Sequence, residues 1–246
     1  MGKNKLKKFS EMETFPNVFQ DAYRNLQEKP FQHKGTWGKT FFKNDNPIVV
    51  EVGCGKGEYT VGLAKKYPNK NFIGVDIKGS RMWQGAKEAV DTGMTNVAFI
   101  RTHVELLSLF FDKDEISEIW ITFADPQMKY TRRRLTSTRF MEHYRSYLKE
   151  GGLVHLKTDS DFLYTYTDIM VKENHFEVLE NTNDLYHSDI VDDILSIRTF
   201  YEQQWLDRGK TIKYIKWKMH FDTLVEPEVE IEHDDYRSFG RSRREQ

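Results

Sequence analysis

Three carboxylates and a run of cations stand at spacings that suit a nucleotide-type cofactor and a polyanionic acceptor. Glu51 lies in the β-branched run Ile48-Val49-Val50-Glu51-Val52, which opens into Gly53-Cys54-Gly55-Lys56-Gly57-Glu58. Glycine serves where the backbone must take φ > 0 or let a ligand press against it. A turn between strand and helix also sets backbone N–H groups beside whatever binds there. The segment therefore reads as the first βα turn of a cofactor site at the carboxyl edge of a parallel sheet. Its spacing is G-x-G-x-G, whereas a dinucleotide fingerprint is G-x-G-x-x-G, and Glu58 fills the third glycine's place. An acid at position 51 sits badly beside a pyrophosphate. It suits a ligand with positive charge, and S-adenosylmethionine carries both a sulfonium and an ammonium. About twenty residues on, Asn71-Phe72-Ile73-Gly74-Val75 reads as a second buried strand ending in Asp76. That carboxylate either accepts hydrogen bonds from a ribose hydroxyl pair or caps a helix beginning near Gly79.

The third carboxylate is Asp125, in Thr122-Phe123-Ala124-Asp125-Pro126-Gln127-Met128-Lys129. This segment ends a fourth strand, where a doubly wound sheet opens into its ligand crevice. Proline stiffens the turn through its fixed φ. Lys129, Arg132, Arg133 and Arg134 follow within a few residues, so a reacting group would sit amid cations able to hold phosphates. An Asp-Pro turn before a charged helix start explains those charges less well, because arginine in a first helical turn opposes the macrodipole.

Positioning such groups requires alternating strands and helices. Strand patterns fall at 48–52, 71–76, 97–101, 118–123 and 152–158, and helical patterns near 58–67, 80–92, 104–111, 135–149 and 160–173. The alternation predicts βαβ units, a parallel sheet and helices on both faces. Residues 176–179 and 211–219 read as two further strands, with a short helix at 191–207 between them. The resulting α/β order resembles a class I (Rossmann-like) methyltransferase: a seven-stranded, mostly parallel sheet with one reversed edge strand.

Residues 1–15 read as a flexible basic arm carrying Lys3, Lys5, Lys7 and Lys8, and 16–46 as a partly helical, aromatic-rich lead-in packed on the domain. The domain itself spans 16–223. From 224 the chain reads as a solvated tail, acidic and then Arg-rich. Six acids and no lysine or arginine fall within 226–235; without them 37 basic residues face 32 acidic ones. The near-neutral net charge of −1 thus hides a moderately basic domain. No run approaches the length of a membrane span and no signal-peptide pattern is present. The single cysteine, Cys54, excludes an internal disulfide and fits a cytoplasmic protein. Its place in the glycine turn suits packing rather than nucleophilic chemistry. Eight scattered histidines with no Cys/His pairing give no metal site.

Four motifs occur in order: the glycine turn, Asp125-Pro126-x-x-Lys129-x-x-Arg132-Arg133-Arg134 after Phe123, Lys157-Thr158-Asp159, and Thr199-Phe200-Tyr201-Glu202. Together they resemble the bacterial tRNA (guanine-N7-)-methyltransferase family over roughly residues 45–220. The resemblance implies that Glu51 and Asp76 hold S-adenosylmethionine and that Asp125 is catalytic and touches the cofactor. It implies substrate contacts for Lys129, Asp159, Thr199 and Glu202, to which Arg132 and Arg133 add phosphate contacts. Gly53, Gly55 and Gly57 complete the cofactor set. The family's aspartate after the third strand has Thr102 or His103 as its nearest match, and Thr102 could hydrogen-bond adenine. Its tryptophan after Asp-Pro and its histidine in the basic run are replaced by Gln127 and Tyr130-Thr131.

The implied reaction is methyl transfer to N7 of a guanine in the variable loop of tRNA, by a cytoplasmic enzyme acting as a monomer or homodimer. Guanine N7 is an exposed acceptor with an in-plane lone pair, so it needs no base, in keeping with the residue set. Two other readings fit the same residues: a methyltransferase acting on another RNA base or a small molecule, and a non-catalytic RNA-binding protein retaining the fold. Asp125-Pro126-Gln127-Met128 lacks the second proline and aromatic of enzymes that methylate exocyclic amines. An intact cofactor motif has no use in a binding relic.

Overall fold

The computed structural model describes residues 3–235 and, for Lys3 and Asn4, the backbone alone. Eight strands form one sheet: β1 (Val18–Phe19), β2 (Ile48–Val52), β3 (Asn71–Val75), β4 (Val97–Ile100), β5 (Ile116–Thr122), β6 (Leu148–Thr158), β7 (Glu177–Thr182) and β8 (Lys213–Lys218). Their spatial order is β1-β4-β3-β2-β5-β6-β8-β7. Every pairing from β1 through β6 is parallel, and β8 runs antiparallel to both β6 and β7. The fold is that of a class I methyltransferase, with two differences from the expected seven strands. β1 adds an eighth at one edge, and the reversed strand is interior while β7 takes the other edge.

The central strands are buried on both faces, β2 and β3 along their whole length, as continuous β-branched runs in a covered parallel sheet should be. One face packs on α5 (Thr138–Tyr144), α6 (Asp161–Glu173) and the lead-in. There Phe19, Phe31, Trp37 and Phe42 join Phe110 and Phe111 in an aromatic cluster, which includes α2 (Tyr23–Glu28) through Leu26. The other face packs on α3 (Glu58–Lys66) and α4 (Gly79–Asp91), through Tyr59, Leu63, Met82, Ala86 and Ala89. The pattern expected at 104–111 forms a 3-10 helix over Val104–Leu109, and that at 135–149 shortens to α5. α7 (Phe200–Leu206) is all that becomes α-helix of the pattern at 191–207.

Both chain ends depart from expectation. The basic arm is a helix, α1 (Lys3–Met12), docked on α4. Its Met12 is fully buried, and Trp83 Nε1 donates to Glu11 at 2.7 Å. Lys5 and Lys7 are exposed, and Lys8 Nζ lies 4.4 Å from the Trp83 ring centroid. The tail is tied down at two points, while Glu228, Glu230, Glu232 and Asp235 stay exposed as the sequence suggests. Glu226 accepts from Thr138 N at 3.2 Å and from Thr138 Oγ1 at 2.6 Å, at the start of α5. Asp234 is buried and accepts from Phe162 N at 3.1 Å and from Ser160 Oγ, at the start of α6. Two helix starts with orphan N–H groups thus draw in acids that the sequence pattern leaves in solvent. The Arg-rich end lies outside the described residues. No helix among the described residues is long and apolar enough to cross a membrane.

Candidate active site

The chain leaves β2 for β3 on one side and returns to β5 on the other, so the carboxyl ends of β2 and β5 diverge into a crevice. A cavity of about 350 Å³ opens there. Glu51, Gly53, Gly55 and Asp76 line one part, Asp125 and Leu135 another, and Thr199, Tyr201 and Trp205 of the α7 segment a third.

The glycine turn is wound by Gly53 (φ 77°), Gly55 (φ 55°) and Gly57 (φ 73°). Four of its amides are spent internally. Gly53 and Cys54 both donate to Val75 O, at 2.8 and 3.0 Å, Gly55 N to Asp76 Oδ2 at 2.9 Å, and Gly57 N to Cys54 O at 2.8 Å. The expectation of open N–H donors beside the ligand is therefore corrected for these residues: they permit close approach but do not cradle an anion. Gly57 serves packing instead, since a Cβ there would lie 2.6 Å from Phe99. Burial pushes the Cys54 thiol well above its usual range, which fits an inert packing group.

Asp76 accepts from Gly55 N through one oxygen and from Lys78 N, at 2.7 Å, through the other. It thus pins the turn and the approach to α4, and it lines the cavity. Glu51 is nearly fully buried, with Thr60 N at 2.8 Å and the hydroxyls of Thr60 and Thr122 donating to it. Desolvation outweighs those bonds and pushes its carboxyl up to about 7. The Thr122 bond also ties the end of β5 to β2.

Asp125 is exposed at the rim, on a loop fixed at several points. Phe123 (φ 51°) and Gln127 (φ 49°) take left-handed backbone on either side of it, a costly conformation for such residues. Gln127 N donates to Asp125 Oδ1 at 3.0 Å. Arg134 is buried, stacks 4.0 Å from the Tyr166 ring centroid and donates to Pro126 O at 3.1 Å and Gln127 O at 3.2 Å. Of the cationic run, Arg134 thus holds the loop while Lys129, Arg132 and Arg133 are exposed.

The α7 segment is anchored from beneath. Lys157 and Glu202 are both fully buried, with Lys157 Nζ 2.9 Å from Glu202 Oε1. The same ammonium donates to Leu195 O at 2.8 Å and Ile197 O at 3.0 Å. Glu202 also closes a capping box with Thr199.

A family model described as "Putative methyltransferase" matches residues 45–215. The tRNA (guanine-N(7)-)-methyltransferase of Bacteroides fragilis (strain YCH46) is 59% identical over 245 residues, 99% of this chain and 97% of that protein. The chain belongs to the tRNA (guanine-N(7)-)-methyltransferase family. Members from Porphyromonas gingivalis (strain ATCC BAA-308 / W83) and Clostridium novyi (strain NT) are 58% and 36% identical. These two matches cover 96% and 76% of this chain, and 98% and 86% of the relatives. Among solved structures, the 16S rRNA methyltransferase KamB superposes with a TM-score of 0.58 at 12% identity, over 76% of this chain and 94% of that one. At that identity the likeness concerns the fold.

Within this family member, the cavity brings together Glu51, Gly53, Gly55, Asp76, Asp125 and Thr199 of the expected residues. Lys129, Arg132 and Arg133 lie on the Asp125 loop but outside the lining. Thr102 is buried elsewhere, and Asp159 is fully buried. Glu202 is corrected from a substrate contact to an internal anchor, because its carboxylate is sealed between Lys157, Tyr186 and its own helix start. Lys56, Arg81, Tyr201 and Trp205 line the cavity without having been singled out in the sequence. The capping box Thr199-x-x-Glu202 marks a helix start, and the aromatic residues beside it were the available signal.

Proposed function

We infer that this chain transfers a methyl group from S-adenosylmethionine to N7 of a guanine in the variable loop of tRNA, forming 7-methylguanosine. The convergence of Glu51, Asp76 and Asp125 on one cavity, beside an exposed cationic loop, carries this reading. The residues fit the cofactor. With the amides of Gly53, Cys54, Gly55 and Gly57 used internally, the turn is poorly suited to a phosphate, and S-adenosylmethionine has none. Asp76 retains lone pairs for ribose hydroxyls, Glu51 supplies a carboxyl for a cationic group, and Lys56 and Arg81 supply cations for a carboxylate. The cofactor, when bound, supplies an electrophilic methyl.

The chain's own residues then position the acceptor. Asp125, on its braced loop, accepts hydrogen bonds from the guanine edge and favours the positive charge that grows on the base as N7 is alkylated. Such preorganised electrostatics contribute about 3–4 kcal/mol. Lys129, Arg132 and Arg133 hold phosphates and set register without reading sequence. Asp159 and Glu202 were possible partners of Asp125 in orienting the base; their burial leaves Asp125 as the exposed acid of the three. The enzyme acts in the cytoplasm, where its substrate is found and where a buried free thiol stays reduced.

The test is methyl transfer from labelled S-adenosylmethionine to unmodified bulk tRNA, followed by nucleoside digestion. Label in 7-methylguanosine, lost in Asp125→Ala with cofactor affinity retained, is the expected result. Label on another base or on a small molecule would overturn the substrate assignment. Tight tRNA binding without transfer would make the protein a binding relic.

A further inference from the structure

Most aromatic side chains among the described residues are buried or half-buried. Among the described residues the exposed phenylalanine, tyrosine and tryptophan side chains are Tyr23, Tyr130 and Phe200. Two of these belong to segments that form the cavity. Tyr130, 58% exposed, stands on the loop whose ends, Asp125 and Leu135, line it. Phe200, 48% exposed, lies between the lining residues Thr199 and Tyr201.

The backbone that carries each ring is held. The Tyr130 amide donates to Gln127 O at 2.9 Å and its carbonyl accepts from Arg133 N at 2.9 Å, inside the stretch that Arg134 holds. Phe200 N donates to Glu58 Oε2 at 3.0 Å. Each ring also carries a cation: the Arg133 guanidinium is 5.1 Å from the Tyr130 centroid, and Lys56 Nζ is 3.6 Å from that of Phe200. An exposed ring costs hydration free energy, and a ring fixed beside a cation is the combination that unpaired nucleic acid uses. Bases stack on the aromatic face while the cation meets the backbone. RNA recognition turns on such splayed bases rather than on the closed grooves of a duplex.

We propose that Tyr130 and Phe200 are two stacking platforms for unpaired bases of the substrate RNA next to the reacting guanine. The proposal rests on the RNA-directed reading of the site. It assigns Tyr130 and Phe200 to base contact and the neighbouring Arg132 and Arg133 to phosphate contact, a division that salt can separate. Removing a phosphate contact lowers the slope of log affinity against log salt, whereas removing a stacked ring does not.

The experiment measures the affinity of full-length Tyr130→Ala, Tyr130→Phe, Phe200→Ala and Arg132→Ala for unmodified tRNA across a salt series. The thermal unfolding midpoint serves as the folding control. The two ring deletions should each weaken RNA binding roughly 5- to 150-fold at unchanged salt slope. Tyr130→Phe should bind as the parent does, and Arg132→Ala should flatten the slope. Parental affinity in both ring deletions overturns the proposal. So does Tyr130→Phe binding as weakly as Tyr130→Ala, since the hydroxyl would then be the contact. The functional reading fails separately: a parent that binds tRNA but forms no 7-methylguanosine overturns that reading and leaves the stacking result standing. A parent that binds no tRNA overturns both.

Discussion

Lys157 offers the sharpest test of how the cavity is kept in shape. In Lys157→Met the stem is replaced by an apolar chain, and Glu202 loses its ammonium 2.9 Å away while both positions remain fully buried. Leu195 O and Ile197 O lose a donor as well. Removing one partner of a buried pair costs about 3–5 kcal/mol. The remaining carboxyl can escape part of that by taking up a proton, which at pH 7 costs about 4 kcal/mol from an ordinary glutamate pKa. The two figures agree, and the second shrinks to about 1 kcal/mol at pH 5. Burial pulls the Lys157 pKa below its usual range although Glu202 pulls it up, so the ammonium depends on its carboxylate partner to stay charged. We therefore expect Lys157→Met to lower Tm by roughly 6–20 °C at pH 7 and by clearly less at pH 5, in calorimetric scans of the cofactor-free protein. Glu202→Gln added to Lys157→Met should recover part of the loss. Cofactor affinity should fall too, because Thr199, Tyr201 and Trp205 line the cavity from the segment that Lys157 grips. A Tm drop below about 2 °C, or strictly additive single variants, would refute the anchoring role.

Two further outcomes follow from the same geometry. Glu51, pushed up to about 7 from 4.5, keeps a proton in the folded state that the unfolded chain has released, so stability falls as pH rises from roughly 4.5 to 7 and is flat above. The fall is about 3 kcal/mol, measurable by urea unfolding between pH 5 and 8; Glu51→Gln showing the same slope would locate it elsewhere. Asp234→Ala should cost about 1–2 kcal/mol through its cap on α6 at unchanged cofactor affinity, and a chain ended at Thr223 should lose more, since Glu226 goes too. Parental Tm in the shortened chain would mean that the terminal segment does not pack.

The central strands were legible because β-branched runs bounded by glycine and aspartate leave few alternatives. β1 was not, since Val18–Phe19 is too short to show a period and is defined by pairing with β4. The glycine turn could be located but not the state of its amides, which depends on Val75 and Asp76 across the sheet. Asp125 and Glu202 look alike as motif acids. One is exposed and the other sealed, because a lysine 45 residues earlier lies beneath the second. Asp234 and Glu226 read as solvated for the same reason: a cap supplied from a distant segment has no local signature. α1 looked like an arm because its lysines outnumber the few apolar residues that dock it.

The loop around Asp125, braced by two left-handed residues, an aspartate-to-amide bond and a buried guanidinium, has few ways to yield. When a rigid socket meets a folded RNA, the deformation falls on the RNA. A guanine held firmly in its own stack must leave it, at a few kcal/mol, whereas one already loosened comes at little cost. Selection among guanines then need not depend on reading neighbouring letters. It can arise from how readily each site in the RNA gives way.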